Sequence, residues 1–145
     1  YNWNGDVLQS TLVNYGEMPV YNSATPTRES DAQYTYTFTG WSPELDLVSG
    51  NQSYYAQYTS TLNQYEVTFY NWDGTLLQST MVNYGEMPTY TGVTPTRESD
   101  AQYTYTFNGW SPAVSDTVEG DATYTAQWTE KDFIPNQKAC LDHLI

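Results

Sequence analysis

The sequence predicts a β-rich fold, α+β at most, built from two small modules in tandem. The first observation is an internal repeat: residues 1–43 align with residues 70–112 without a gap, and 34 of those 43 positions are identical. A one-residue insertion then changes the offset from 69 to 70, and the copies rejoin at Val48 and Val118. The second is the supply of 15 Tyr, 5 Trp and 4 Phe, since aromatic residues favour pleated, half-buried strands. A repeat this long indicates an array of copied modules.

The complete second copy begins with a predicted hairpin. Tyr65–Phe69 alternates between aromatic or aliphatic and polar residues, which predicts a strand with Tyr65, Val67 and Phe69 on one face. In the following Asn-Trp-Asp-Gly turn, Asp73 and Gly74 supply the positive φ that a tight hairpin needs. A return strand is expected over 76–83, but apolar residues fall on both of its parities. Its register therefore stays open.

The loop Thr94–Asp100 has the signals of a short helix. Thr94 is a suitable N-cap, and Pro95 would occupy the first helical position. The segment has no apolar periodicity to bury, so we expect no helix of more than two turns.

Two further strands complete the module. Tyr103–Phe107 alternates aromatic residues with threonine; Gly109 breaks this strand, Trp110 continues it and Pro112 ends it. The last strand is expected over 121–129. The order strand, strand, crossover, strand, strand suits a four-stranded mixed sheet of the β-grasp type, or an open four-stranded sheet.

The repeat also predicts the domain organisation. The expected segments are residues 1–59 (first repeat), 60–64 (linker), 65–129 (second, complete repeat) and 130–145 (a tail outside the repeat). Tyr1 aligns with Tyr70, so the first repeat lacks its N-terminal strand. We expect either an unpaired strand edge there or a segment that fills the gap. An alternating strand like Tyr65–Phe69 is expected upstream of Tyr1, and the tail is expected to pack on the second repeat or to project from it.

Charge and cysteine content exclude several classes of partner. The net charge is −13 with four Lys and Arg, so the chain cannot neutralise phosphate or sulfate, and nucleic acid is not an expected partner. No apolar run approaches 18 residues, which argues against membrane insertion. The single cysteine, Cys140, is a free thiol or an intermolecular bridge. A monomer is expected, with a Cys140-linked dimer as the alternative.

Motifs shared by both copies resemble a known family. The second copy has Val-x-Tyr-Gly-Glu at 82–86, Tyr-x-Phe-x-Gly-Trp at 105–110 and Tyr-x-Ala-Gln-Trp at 124–128. The first copy repeats these motifs at 13–17, 36–41 and 54–58, with Tyr58 as the last aromatic residue. Together with the Asn-Trp-Asp-Gly turn, this pattern resembles the Listeria–Bacteroides repeat, or internalin B-repeat. The resemblance implies tandem ubiquitin- or SUMO-like β-grasp modules in secreted or wall-anchored bacterial proteins, where they act as stalks and adhesive spacers without catalytic residues.

Nucleophilic and metal chemistry find little support in the sequence. The only histidine, His143, lies three residues after Cys140, so a helix would place both on one face. Such a pair can activate a thiolate, but no oxyanion site accompanies it. A structural zinc site needs about four ligands. We expect no catalytic residue, no cofactor and no metal.

Two pairs of carboxylates are candidates for acid–base work or calcium binding. They are Glu29 with Asp31, and Glu98 with Asp100. Neither has the alternating spacing of a calcium loop, so a solvated loop is the favoured interpretation. Arg28 and Arg97 would then act as local counter-charges.

The aromatic residues are the remaining site candidates. Trp3 and Trp72 beside their turns can stack on sugar rings, although packing over the hairpin end as part of a small core is favoured. Trp41, Trp110 and Trp128 fall within strand alternation and are expected in the core. The sequence thus predicts a non-catalytic stalk or adhesive module of a bacterial cell-surface protein, with neighbouring repeats as partners. The alternative is a module that binds a glycan or a host surface protein through exposed Trp and Tyr.

Overall fold

The computed structural model describes residues 1–133, and every regular element in that part of the chain is a β-strand. The chain divides into two compact units, unit 1 (Tyr1–Asn63) and unit 2 (Gln64–Ile145). The strands are β1 (Tyr34–Ser42), β2 (Tyr55–Leu62), β3 (Gln64–Tyr70), β4 (Leu76–Asn83), β5 (Tyr103–Ser111) and β6 (Ala122–Asp132). The predicted β-rich fold class is confirmed.

Unit 2 forms a four-stranded mixed sheet in the order β4-β3-β6-β5. The pairs β3–β4 and β5–β6 are antiparallel, whereas β3 and β6, the first and last strands of the module, run parallel side by side. Two hairpins joined through a central parallel pair give the strand order of the β-grasp type, so the expected four-stranded mixed sheet is confirmed.

A bulge in the β3–β4 hairpin explains why the register of the return strand could not be read from the sequence. Phe69 pairs with Gln78, but the next residue, Tyr70, pairs with Leu76, so the ladder skips Leu77. Leu77 and Val82 both pack against the core although they lie on opposite parities of β4. An extra residue in one strand changes which face the following side chains occupy.

The core of unit 2 is centred on β3. Val67 and Phe69 are fully buried, and Val118 and Tyr124 are 3% exposed. The alternation of β3 thus points its apolar side chains into the module, as the sequence predicted. The partly buried side chains packed on this cluster are Tyr65, Leu77, Val82, Tyr90, Trp110, Val114 and Ala122.

The predicted helix in the 94–100 loop is wrong. No residue of Thr94–Asp100 is helical, and the loop is held instead by a contact with a distant part of the chain. The Asn71 side chain donates a hydrogen bond of 3.0 Å to the Thr96 carbonyl, which a helix would need for its own backbone. Without an apolar face, the segment gains nothing from helical periodicity that would outweigh this contact.

Gly109 marks an irregularity inside β5 and does not end the strand. The pairing of β5 with β6 shifts between Phe107 and Gly109, and Gly109 has φ +122°. A glycine tolerates this backbone conformation, which other residues rarely adopt. The strand then continues through Trp110 to Ser111, so the predicted break and continuation are confirmed.

Unit 1 contains a two-stranded antiparallel sheet, β1–β2, with a similar shift between Phe38 and Gly40. Residues 7–14 align with β4 but form no strand, and no residue of unit 1 aligns with residues 64–69 of β3. The segment 60–64, interpreted as a linker, holds the end of β2, then Asn63 and the first residue of β3. In unit 2, β6 runs beyond residue 129 to Asp132.

Candidate functional site

Trp72 lies on the tight turn between β3 and β4. The Asn71 N–H donates to the Thr75 carbonyl (2.8 Å), and the Gly74 N–H donates to the Asn71 carbonyl (3.0 Å). Gly74 has φ +85°, a left-handed conformation that the predicted Asp-Gly pair accommodates. The Asn71 side chain also accepts a hydrogen bond of 2.9 Å from the Trp72 N–H. Since the same side chain donates to Thr96, the turn and the 94–100 loop are held together at the position of the indole.

The side chain of Arg97 lies against two aromatic rings. Its guanidinium carbon is 4.1 Å from the centroid of Trp72 and 3.7 Å from the centroid of Tyr105. We call Trp72, Arg97 and Tyr105 the arginine–aromatic stack of unit 2. A cation over an aromatic face stabilises by about 0.5–1 kcal/mol at an exposed site. The sequence identified Arg97 only as a counter-charge, because Tyr105 is eight positions away and no local pattern links the two.

Asp100 holds the third member of the stack in place. Its carboxylate accepts hydrogen bonds from the Tyr105 hydroxyl (2.5 Å) and from the N–H groups of Gln102 (2.8 Å) and Tyr103 (2.7 Å). The bond from Tyr105, followed by these backbone bonds, lowers the pKa of Asp100, while the same bond raises the pKa of Tyr105. Asp100 is therefore an ionised acceptor at the start of β5 and has no property of a general acid at neutral pH.

Unit 1 repeats this arrangement. The Arg28 guanidinium carbon lies 4.1 Å from the Trp3 centroid and 3.8 Å from the Tyr36 centroid. The Tyr36 hydroxyl donates to the Asp31 carboxylate at 2.9 Å. Hydrogen bonds, first from the Tyr34 N–H and then from Tyr36, lower the pKa of Asp31. Asp31 and Asp100 of the repeated Arg-Glu-Ser-Asp segment thus position a tyrosine in each unit while they stay exposed on the loop.

The two tryptophans at the turns are half-exposed. Trp3 is 51% exposed and Trp72 is 50% exposed, and Trp72 lies outside the buried cluster of unit 2. The interpretation of these residues as part of the core is therefore wrong, because the guanidinium and not the apolar interior provides their packing surface. A shallow hollow of about 330 Å³ next to Trp72 is lined by Tyr70, Asn71, Trp72, Gly74 and Thr125.

Of the three strand tryptophans expected in the core, Trp110 packs against the buried cluster of unit 2, whereas Trp128 lies outside that cluster. Trp110 lies 4.8 Å from Phe69 and 4.9 Å from Tyr90, and it belongs to the shell of the buried cluster. Its repeat equivalent, Trp41, lies 4.8 Å from Tyr21, centroid to centroid.

Trp128 is partly buried and packs 5.8 Å from Phe107. In the part of the chain that the structure describes, its Nε1 is buried without a hydrogen-bond partner. Its repeat equivalent, Tyr58, instead donates a hydrogen bond of 2.6 Å to the Asn2 side chain.

Of the other residues considered for catalysis or metal binding, some lie outside the described part of the chain and the rest are not grouped into a site there. Cys140 and His143 lie outside the described residues. Within residues 1–133 no three His, Cys, Asp or Glu side chains are grouped so that they could hold a metal ion. The same residues contain no helix that is long and apolar enough to cross a membrane.

No protein-family profile matches the sequence, and no curated protein matches it. Among solved structures, the chain is similar to Streptococcal High Identity Repeats in Tandem (SHIRT) domains 3-4 from a cell surface protein. The TM-score is 0.40 and the sequence identity is 15%, over 85% of this chain and 83% of the other. A likeness of this degree transfers neither fold nor function to the present chain.

Proposed function

We propose that the chain is a non-catalytic tandem-repeat segment of a bacterial cell-surface protein. It acts outside the cell as a stalk or adhesive spacer and offers a surface for protein interactions. Its first partners are neighbouring repeats of the same polypeptide. Each module adds length to the stalk, and adhesion comes from the protein-interaction surface that the repeats expose.

The observation that carries this proposal is that the duplicated residues have structural roles. The two arginine–aromatic stacks agree within 0.1 Å: 4.1 and 3.8 Å in unit 1, 4.1 and 3.7 Å in unit 2. Asp31 and Asp100 each anchor a tyrosine of a stack. Modules of about 70 residues bury only about 60% of their unfolded surface, so such surface contacts contribute a meaningful share of stability. The residues that both copies share are therefore residues that stabilise a small domain.

Membership of the Listeria–Bacteroides repeat family is part of this proposal. The motif residues that carry the resemblance act in the fold of unit 2. Gly85 has φ +84°, Gly109 lies at the β5 irregularity, and Trp110 and Tyr124 pack around Phe69. A motif made of turn, bulge and core residues is what a spacer family would retain.

A display experiment tests the spacer function. The chain is fused between a standard wall anchor and an epitope tag, and residues 64–132 are present in one, two or four copies. The distance from the tag to the cell surface should rise by a constant increment with each added copy, as measured by localisation microscopy. A flexible Gly/Ser linker of equal length is the matched control, because its reach grows only with about the square root of its length. A tag distance that follows the linker control would refute the proposal.

Carbohydrate binding is the second candidate function, and the half-exposed Trp72 beside its shallow hollow favours it. Flat aromatic surfaces with neighbouring polar groups can stack on sugar rings. Asn71 and Thr125 supply polar groups there, although Arg97 already lies over the indole. A glycan array with Trp72→Ala as the test variant decides between the candidates. Specific binding that disappears in Trp72→Ala would support this function, and an array without any signal would contradict it.

A further inference from the structure

The two units differ in one pair of side chains next to their tight turns. In unit 2, Tyr70 of β3 lies opposite Thr125 of β6 in the parallel ladder. In unit 1, the backbone of Tyr1 makes hydrogen bonds of 2.8 and 2.9 Å to the two chain neighbours of Tyr55, so Tyr1 lies opposite Tyr55 in the same way. The first tyrosine is thus common to both units, whereas the residue opposite it is tyrosine in unit 1 and threonine in unit 2.

In unit 2 both side chains of this pair point away from the core. Tyr124 and Ala126 are buried on the core side of β6, so Thr125 between them lies on the opposite face of the sheet. Phe69 is fully buried, and the following residue, Tyr70, therefore lies on that outer face as well. Neighbouring strands are about 4.8 Å apart, so the two side chains stand side by side on the surface of the unit.

A second ring covers the first tyrosine in unit 1. The rings of Tyr1 and Tyr55 are stacked, with 5.2 Å between their centroids and 19° between their planes. This distance lies in the range that stacked aromatic pairs prefer. Thr125 has no ring, and among residues 1–133 no other ring stacks on Tyr70. The place that the Tyr55 ring takes in unit 1 is therefore open in the described part of unit 2.

The shallow hollow next to Trp72 lies at this open place. Its volume is about 330 Å³, and Tyr70 and Thr125 both line it. Trp72 is 50% exposed and its equivalent in unit 1 is 51% exposed, so the indole at the rim has the same exposure with and without the additional ring. The volume is at the lower end of the range for ligand sites, about 300–1,000 Å³, which suits a group of the size of one ring.

The hollow also contains hydroxyl groups that a ligand can use. The side chain of Asn71 is already bonded to the Thr96 carbonyl and the Trp72 N–H. The hydroxyls of Tyr70 and Thr125, in contrast, make no hydrogen bond within residues 1–133. A tyrosine side chain has an apolar ring for stacking and a hydroxyl for hydrogen bonding, and it is enriched at protein interfaces for this reason.

The charge of the chain favours a basic segment as the carrier of the ring. The chain has 17 Asp and Glu against four Lys and Arg. Asp73 lies on the turn beside the hollow, and hydrogen bonds from the Thr75 hydroxyl and N–H lower the pKa of its carboxyl, so it is ionised at neutral pH. Arg97, the cation beside Trp72, is already enclosed by two rings. A basic segment is attracted to such a surface, whereas a second copy of the chain carries the same charge of −13 and is repelled.

We propose that the hollow is a docking site for a tyrosine side chain on a basic segment of a partner protein. The ring stacks on Tyr70 as Tyr55 stacks on Tyr1, beside the half-exposed indole of Trp72. A phenol is favoured over a sugar because the ring that the chain itself places there in unit 1 is aromatic. The site rests on the proposed function, since it belongs to the surface for protein interactions. The display experiment measures length and not binding, so failure of one test is distinguishable from failure of the other.

Titration of the complete chain with a short peptide tests the proposal. The probe is acetyl-Lys-Tyr-Lys-amide, and acetyl-Lys-Leu-Lys-amide is the matched control with the same charge and no ring. The amide NMR signals of Gly74 and Thr125 should shift saturably with the tyrosine peptide. The leucine peptide should bind at least about tenfold more weakly, which corresponds to the loss of one aromatic contact.

Reciprocal substitutions identify the site. Thr125→Tyr should supply the ring from within the chain, as Tyr55 does in unit 1, and should weaken the binding seen at Gly74 at least about tenfold. Thr125→Ser is the matched control, because it retains a hydroxyl, adds no ring and should bind as the unmodified chain does. Tyr55→Thr should open the corresponding place in unit 1 and add Gly5 to the shifted amides. Unchanged amide signals of residues 65–69 verify that the variants at position 125 are folded.

Binding of the tyrosine peptide that is lost in Thr125→Tyr and appears at Gly5 in Tyr55→Thr would support the proposal. Equal affinity of the tyrosine and leucine peptides, or unchanged affinity in Thr125→Tyr, would overturn it. Methyl glucoside is the probe for the alternative ligand class. Saturable shifts at Gly74 with the glucoside and none with the tyrosine peptide would assign the hollow to carbohydrate and would also overturn the proposal.

Discussion

Replacement of Phe69 by alanine should bring unit 2 close to unfolding. Phe69 is fully buried and its ring contacts Tyr90, Trp110 and Tyr124 at centroid distances of 4.8–5.4 Å. Truncation of a buried phenylalanine costs about 3–5 kcal/mol, and three aromatic contacts place this residue toward the upper end of that range. A domain of about 70 residues has a free energy of unfolding of roughly 4–10 kcal/mol. The loss is therefore comparable with the whole stability of the unit.

The assay must observe the units separately. Tryptophans occur in both units, so bulk fluorescence would mix two transitions. Urea unfolding followed by the intensities of individual amide NMR signals gives one free energy of unfolding for each unit. Phe69→Leu is the matched control, since it retains an apolar side chain and should cost only about 1–2 kcal/mol.

Two results would refute this reasoning. A loss below about 1 kcal/mol in Phe69→Ala would mean that the cluster is not the main source of stability, since core truncations of this kind cost several times more. An equal loss in the signals of unit 1 would mean that the substitution acts through something other than the core of unit 2.

Three further substitutions test the surface and the backbone. Arg97→Lys should lower the free energy of unfolding of unit 2 by about 0.5–1 kcal/mol, because an ammonium stacks less well than a planar guanidinium. Arg28→Lys should lower that of unit 1 by the same amount. Unchanged urea midpoints in both variants would show that the stacks do not stabilise the units. The lowered folded-state pKa of Asp100 means that its contribution is present above the unfolded pKa and is lost as the pH falls through the folded value. Asp100→Asn should therefore flatten the pH dependence of unit 2 stability below about pH 4, and a profile as steep as that of the unmodified chain would contradict the assignment. Gly109→Ala should cost about 1–3 kcal/mol through backbone strain alone, since a Cβ there meets nothing within 4 Å and φ is +122°; a thermal midpoint within a degree of that of the unmodified chain would show that the strand relaxes.

Local pattern predicted those features whose causes are local. The alternation of residues 65–69 gave β3 and its buried face, and the Asp-Gly pair gave the turn at Gly74. The glycine at 109 indicated the irregularity in β5, because glycine tolerates the positive φ that other residues rarely adopt inside a strand.

Features with distant causes could not be predicted. The 94–100 loop is shaped by Asn71 and Trp72, which lie more than 20 residues earlier, so its helix-start signals had no bearing on the result. The register of β4 depends on the bulge at Leu77. From the sequence alone, nothing shows which of the two adjacent leucines, Leu76 or Leu77, is the extra residue. The arginine–aromatic stack joins three separate segments, and the exposure of its tryptophan follows from that contact. No periodicity in the sequence predicts a contact between side chains from such distant segments.

The parallel pairing of β3 with β6 has a mechanical consequence. These two strands are the first and last of unit 2 within the described residues, and they are joined by consecutive rungs from Val67–Ala122 to Tyr70–Thr125. A pull on the two ends of the unit acts along both strands in opposite directions, so the rungs are loaded together in shear and do not open one after another. In unit 1 the backbone bonds of Tyr1 to Tyr54 and Ala56 are the counterpart of this clamp. Resistance to tension should therefore be concentrated in these parallel rungs and not in the antiparallel hairpins on either side of them.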